Sequence, residues 1–244
     1  MDAEELLWTA PVTPRRGPRP ALSRAEIVRA GIRIADSDGL AALSMQRVAG
    51  RLGAATMSLY RHVPGKNELI SLMLDAAIGE PPALAEDAGW RATLADWARG
   101  TRDVFVRHPW TLPLVTGVRV MGPNELACTE SALRVLAASG LRPATLLDVL
   151  LLVNGYVRGA ANLTGGPRVP GRESLLRFGQ LDRYPVFATV FQEASGVDNP
   201  AGEAARFEFG LARVLDGVEL FVQAYGDPAS NRERSSDRGS RRTR

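Results

Sequence analysis

Between Leu43 and Lys66 the chain reads LSMQRVAGRLGAATMSLYRHVPGK, and no other stretch restricts the fold as much. Ser44 stands where its hydroxyl can accept from an unpaired amide of an opening helical turn, so a helix is expected to start there and run to about Leu52. Val48, Ala49 and Leu52 fall on one face of that helix, while Gln46, Arg47 and Arg51 fall off it. Gly53 then ends the helix, because glycine enters the left-handed region without a Cβ penalty and lets the chain turn back at once. A second helix, about Ala55 to His62, keeps Leu59 as its inward anchor, with Val63 one turn on. Small Ala49 allows the two helices to cross closely, and the set Ala49, Gly53 and Leu59 has helix-turn-helix spacing.

The outward face of the second helix carries Thr56, Met57, Ser58, Tyr60, Arg61 and His62, and no carboxylate. An ordinary solvated helix is rich in Glu and Lys. Hydroxyls, a phenol, a guanidinium and an imidazole suit phosphates and base edges instead. The flanks agree. Ser23-Arg-Ala-Glu26 is a capping box that opens a supporting helix, buried through Ile27, Ala30, Gly31, Ile34 and Ala35 and closed at Asp38-Gly39. Pro64-Gly65 makes a turn before a fourth helix carrying Leu69, Leu72, Met73 and Ala76, with Lys66, the chain's single lysine, at its start.

Leu22 to Ile70, and above all LGAATMSLYRHVPGKNELI at 52–70, resembles the DNA-binding domain of the TetR family of transcriptional regulators. The resemblance is close over about the first third of the chain; beyond about Gly79 only helix number and order are similar. It implies an all-α protein: an N-terminal three-helix helix-turn-helix DNA-binding domain and a larger C-terminal helical ligand-binding and dimerisation domain. It also implies phosphate contacts from Ser58, Tyr60 and Lys66. Gln46, Thr56, Met57 and Arg61 are then the expected base readers, with His62 either on phosphate or capping the helix end. The implied partners are a double-stranded DNA operator, a second copy of the chain in a homodimer, and an unidentified small-molecule effector, with no cofactor and no metal. In the tetracycline-binding members a histidine beyond the position of His108 helps to hold magnesium, and the only histidines here are His62 and His108.

Charge is unevenly spread. From Arg15 to Lys66 ten basic residues face three acidic ones, Glu26, Asp36 and Asp38, as expected where a polyanion docks. Residues 1–21 show no helical periodicity and read as a flexible basic arm, which either lies along a groove or is a plain leader. Residues 227–244 read as a disordered basic tail, either an aid to DNA affinity or a solubilising segment. The single cysteine, Cys128, cannot form an internal disulfide and reads as a small buried hydrophobe. With no signal segment at the start, a reducing cytoplasm is expected. The apolar run 146–153 is interrupted by Asp148 and is short of the roughly twenty residues a membrane span needs, so no membrane is expected.

Gly79 to Gly89 reads as a hinge, and the second domain is expected over residues 90–226. Helices are expected at 90–107, 110–117, 123–139, 143–164, 172–182, 184–195 and 202–225, each bounded by Pro or Gly. In the last of these Phe207, Leu211, Val214, Val218, Phe221 and Tyr225 recur at spacings of four and three, and Gly155 and Gly159 in 143–164 permit close helix approach. Gly155, Gly159, Leu211, Val214, Val218 and Phe221 are thus expected at a dimer interface; the alternative is that both seams face their own core. Trp97, Thr101, Phe105 and Trp110, with Asn154, Arg158 and Asn162 at intervals of four, read either as an aromatic ligand chamber or as an aromatic core with a polar stripe. No phosphate-binding loop, dinucleotide fingerprint, zinc pattern or nucleophile elbow occurs. The reading is therefore a non-enzymatic, ligand-responsive DNA-binding regulator; its rival is a helical enzyme or carrier with a vestigial DNA-binding domain.

Overall fold

The computed structural model describes residues 3–9, 22–84, 88–117, 119–163 and 200–226, with a few positions between 177 and 190. All regular structure among them is helical: α1 (Ala3–Trp8), α2 (Arg24–Asp38), α3 (Met45–Leu52), α4 (Thr56–Tyr60), α5 (Lys66–Ile78), α6 (Gly89–Arg107), α7 (Pro123–Ala137), α8 (Pro143–Leu163) and, last of those described, α9 (Pro200–Tyr225). The helix expected at 110–117 is instead two 3₁₀ turns, Pro109–Thr111 and Leu114–Thr116, because Pro109 and Pro113 interrupt it. The helices expected at 172–182 and 184–195 fall almost wholly outside the described residues, as do 10–21 and the tail 227–244.

The local signals for the first bundle act as the sequence dictates. Ser23 accepts from the Glu26 amide and Glu26 reaches back to Ser23, so the capping box is complete. Ser44 accepts from the Arg47 amide and Gly53 sits at φ 63°, ψ 28°, giving the sharp reversal between α3 and α4. Ile27, Ile34, Val48, Leu59, Val63 and Leu69 are wholly buried in one core that α2, α3, α4 and α5 share.

The opening residues depart from the expected arm. Ala3–Trp8 is helical and lies against α5, with Leu6 buried, Arg24 donating to the Leu6 and Thr9 carbonyls, and the Trp8 indole donating to the Met121 carbonyl. Acidic Glu4 and Glu5 in the first turn suit the positive end of a helix dipole, and Leu6 supplies the anchor, which the proline-rich run behind it obscured.

A second core lies between α6, α7, α8 and α9 and contains Leu94, Trp97, Leu136, Val153, Val157 and Leu211. Two arginines of α6 tie it to α9: Arg91 reaches Asp216 and Glu219, and Arg99 forks onto Glu208 at 2.9 and 2.8 Å. Gly210 is where α9 crosses α8 most closely, since any Cβ there would collide with the Tyr156 ring. Over Pro143–Asn162, 20 residues of mean hydropathy 1.3, α8 is long and apolar enough to cross a membrane by length and composition. One side of that apolar surface, Leu150, Val153 and Val157, belongs to the core, whereas Leu147, Leu151 and Leu152 stand half exposed or more on the other at 50%, 55% and 54%.

The joint between the two cores is not a free hinge. Trp110 buries its ring among the residues of the first core and donates to Asp36 Oδ1 of α2 at 2.7 Å, and His108 Nδ1 lies 2.8 Å from the same oxygen. On the other side Asp75 of α5 accepts from the Asn124 and Glu125 amides that open α7, and Asn124 donates back to the Asp75 carbonyl. Gly122 makes this approach possible, because a Cβ there would strike the Asp75 carboxylate.

Candidate nucleic-acid interface and ligand chamber

The short helix α4 is pinned by Leu59, which is 0% exposed, and so holds its remaining side chains outward. Met57 is 74% exposed and Tyr60 42%. Arg61 is exposed just past the helix end and donates to Ser58 Oγ at 3.2 Å, with Thr56 and Ser58 half-buried beside it. The helix ends earlier than expected, so His62 sits in the following turn, its amide bonded to the Leu59 carbonyl. Gln46 is exposed on α3, and Lys66 is exposed at the first position of α5.

The three acids of this basic region are committed elsewhere. Glu26 completes the α2 cap, Asp36 holds Trp110 and His108, and Asp38 pairs with Arg47. Arg51, Arg61 and Lys66 therefore stand exposed without an ion pair among the described residues, and α3, α4 and the start of α5 share a net positive face, with Glu68 the acid in the first turn of α5. That is what a phosphate backbone requires.

The second site is internal. A cavity of about 260 Å³ lies between α6, α7 and α8. Trp97, Thr101 and Phe105 line it from α6, Glu125, Cys128 and Thr129 from α7, and Asn154 and Arg158 from α8. Ile78, Glu80 and Pro82, at the end of α5 and just beyond, complete the wall, so the chamber touches the helix that leads to the DNA-binding bundle. A second, outer cavity of about 690 Å³ adjoins it under the Pro109–Thr116 turns, and Phe105 and Arg158 line both.

Five of the seven expected chamber residues are thus brought together, and Trp110 and Asn162 are not among them. The Trp110 ring serves the first core, because the turn at Pro109 directs it toward α2 rather than inward. Asn162 lines the outer cavity only.

Two wall residues, Glu125 and Cys128, and Asp75 beside them were not legible as such. Glu125 is held by a two-pronged bond from Arg119 at 2.5 and 2.6 Å. Cys128 is half-buried at the chamber wall rather than fully packed, with its thiol pushed up by burial and then by the Asp75 and Glu125 charges. Asp75, beside them, is also pushed up, burial outweighing its two amide bonds. The one available signal was Asp75 itself, a lone acid on a helix that is apolar from Leu69 to Ile78 but for Ser71.

The expected interface residues divide. Leu211 and Val218 are 1% and 3% exposed and belong to the chain's own second core, so neither is available to a partner. The inward stripe of α9 is Phe207, Leu211, Leu215 and Val218, with Val222 packed against it and Val214 half-buried at its edge. Gly155 and Gly159 do face outward, with no atom within 4 Å of a Cβ placed on either, and Phe221 is 38% exposed.

A helix-turn-helix with a cationic reading face, joined at two bonded contacts to a helical chamber, defines a ligand-responsive transcriptional regulator. A family model described as the tetracyclin repressor-like C-terminal domain matches residues 81–222. The HTH-type transcriptional repressor DrrR1 of Streptomyces coeruleorubidus is 40% identical over 245 residues, covering 92% of this chain and 88% of that protein. Apo ActR from Streptomyces coelicolor superposes with a TM-score of 0.69 at 24% identity, over 85% of this chain and 99% of that one. ActR solved in complex with actinorhodin superposes with a TM-score of 0.63 at 26% identity, over 86% and 100% of the two chains. The chain belongs to the TetR family of transcriptional regulators. Its function is that of a DNA-binding, ligand-responsive repressor, not an enzyme.

Proposed function

We propose that two copies of the chain hold a palindromic operator through paired α4 helices and release it when a small molecule enters the α6–α8 chamber. The observation that carries this reading is the carboxylate-free face of α4 beside unpaired Arg51, Arg61 and Lys66. Ser58, Tyr60 and Lys66 take phosphates, Gln46, Thr56, Met57 and Arg61 take base edges, and His62 stands at the margin of both sets. The reading domain is residues 22–79 and the regulatory domain 90–226.

Dimerisation supplies the second reading helix. On α8 Leu147, Leu151, Gly155 and Gly159 form one outward stripe at intervals of four, and on α9 Phe209, Gly217, Leu220 and Phe221 face out likewise, with Phe209 and Leu220 at 68% and 67% exposure. Two such helices from each subunit make a four-helix bundle about a twofold axis, the glycines letting the axes approach. This replaces Leu211 and Val218 as interface residues and retains Gly155, Gly159 and Phe221.

Effector binding in the chamber acts on DNA through its wall at Ile78, Glu80 and Pro82 and through the Asp75–Asn124 and Trp110–Asp36 contacts. ActR bound to actinorhodin shows a small-molecule complex in a protein of this fold. The regulator works in the cytoplasm, on the nucleoid. A gel shift against the DNA flanking its own gene tests the reading: sequence-selective retardation at physiological salt is expected, and equal retardation of a scrambled duplex would overturn the proposed operator and the base-reading roles.

A further inference from the structure

Arg158 lines both cavities and is half-buried. Its Nε donates to Asn154 Oδ1 at 3.2 Å and one terminal nitrogen reaches the Val115 carbonyl at 3.4 Å. Both acceptors are neutral. Among the described residues no carboxylate pairs with it, whereas the other chamber ion inside the wall, Glu125, is fully matched by Arg119. The remaining charges of the wall, Glu80, Asp103 and Arg107, are exposed at its rim. A guanidinium partly withdrawn from water without a counter-ion gains when an anion arrives with matching geometry. Around it the surfaces are aromatic and aliphatic, Trp97 and Phe105 on one side and Leu112 and Pro113 on the other.

Size adds a second constraint. The inner cavity, about 260 Å³, is below the roughly 300–1,000 Å³ usual for small-molecule sites, while the outer one, about 690 Å³, is within that range. A ligand of several rings that enters the inner cavity therefore extends past Phe105 and Arg158 into the outer one.

We propose that the effector is an extended aromatic anion, carrying a carboxylate or acidic phenol, that spans the two cavities and pairs its negative group with Arg158. The proposal rests on the chamber being the effector site. Its outer portion would lie under the Pro109–Thr116 turns that carry Trp110 to Asp36, so occupancy bears on the contact between the two cores.

The test is calorimetric titration of the full chain with anthraquinone-2-carboxylate, its uncharged carboxamide and the cationic 2-(aminomethyl)anthraquinone, repeated on Arg158→Gln and Arg158→Lys. The carboxylate is expected to bind at least about tenfold more tightly than either analogue, Arg158→Gln to erase that preference, and Arg158→Lys to keep part of it. Equal affinity for the three probes, preference for the cation, no detectable carboxylate binding, or a preference that survives Arg158→Gln would overturn the proposal. Operator retardation by the same preparations is read in parallel. Retained retardation with no carboxylate preference sinks only this inference, and absent retardation in the unmodified chain sinks the regulator reading.

Discussion

At the scale of single residues, the proposed reading face divides into groups expected to hold DNA and groups expected to read it. Lys66 stands exposed at a helix start with nothing to neutralise, so Lys66→Ala should weaken all duplexes alike and lower the salt slope by about one, measured by anisotropy titration over a salt series. Arg61→Ala should instead relax preference at one operator position at a cost of about 1–3 kcal/mol; unchanged preference at every base pair would remove Arg61 from base reading. Asp75 makes a different test. Its carboxyl is held above the ordinary 3.8, chiefly by burial, so the stability it contributes is complete below 3.8 and is lost as pH rises through the raised value. At neutral pH, Asp75→Asn keeps the acceptor without the charge and should melt no lower than the parent, whereas Asp75→Ala leaves the Asn124 and Glu125 amides unmet and should lose about 1–3 kcal/mol. An Asn variant less stable than the Ala variant would contradict this. Ser23, Ser44, Gly53 and Leu59 were legible in the sequence because each acts within a turn or two of its partners. Asp36 and Asp75 were not, since their partners lie 74 and 49 residues away.

At the scale of elements, periodicity located α2, α3 and α5 to α9 within a few residues but could not say which way α9 faces. That helix is apolar on two sides: Phe207, Leu211, Leu215 and Val218 turn inward, and Phe209, Leu220, Phe221 and Tyr225 turn out. A repeat of four and three threads through both, so the packing of Tyr156 against Gly210 and the Arg91 and Arg99 ties to Asp216, Glu219 and Glu208 fix the rotation. The consequence is a paired experiment. Leu220→Glu should keep the chain helical and weaken the dimer at least about tenfold, while Val218→Glu, placing a charge in the core, should unfold it. Sedimentation velocity and circular dichroism decide: a Leu220→Glu dimer of unchanged affinity would withdraw the outward face of α9 from the interface. The α6–α9 fork has its own pH signature. Arg99 holds the Glu208 carboxyl below its ordinary 4.5, so this link contributes above 4.5 and is lost as pH falls through the lowered value. With both side chains nearly half exposed, at 45% and 48%, the amount is under about 1 kcal/mol, and Glu208→Gln should flatten the acid limb of a pH–stability curve by that much.

At the scale of the whole molecule, the sequence offered the Gly79–Gly89 break as a hinge, and the structure has two cores whose joint is bonded rather than free. Side chains cross the boundary at two places: Trp110, read from spacing as a chamber wall, completes the first core with His108 beside it, and Asp75 caps α7 from the connecting helix. These contacts give a change in the chamber a bonded route to α2 and α5, and through them to α4. The opening helix adds a third tie, from Leu6 under α5 and Trp8 to Met121, where composition indicated only a loose arm. Every link of that route matters only if two reading helices engage one operator. DNase footprinting of the full chain on the DNA flanking its own gene measures this directly. The account predicts protection of two inverted half-sites roughly one helical turn, about 34–36 Å, apart or a multiple of it, appearing together over one concentration range. Protection of a single half-site, or none above that of a scrambled duplex, would contradict it.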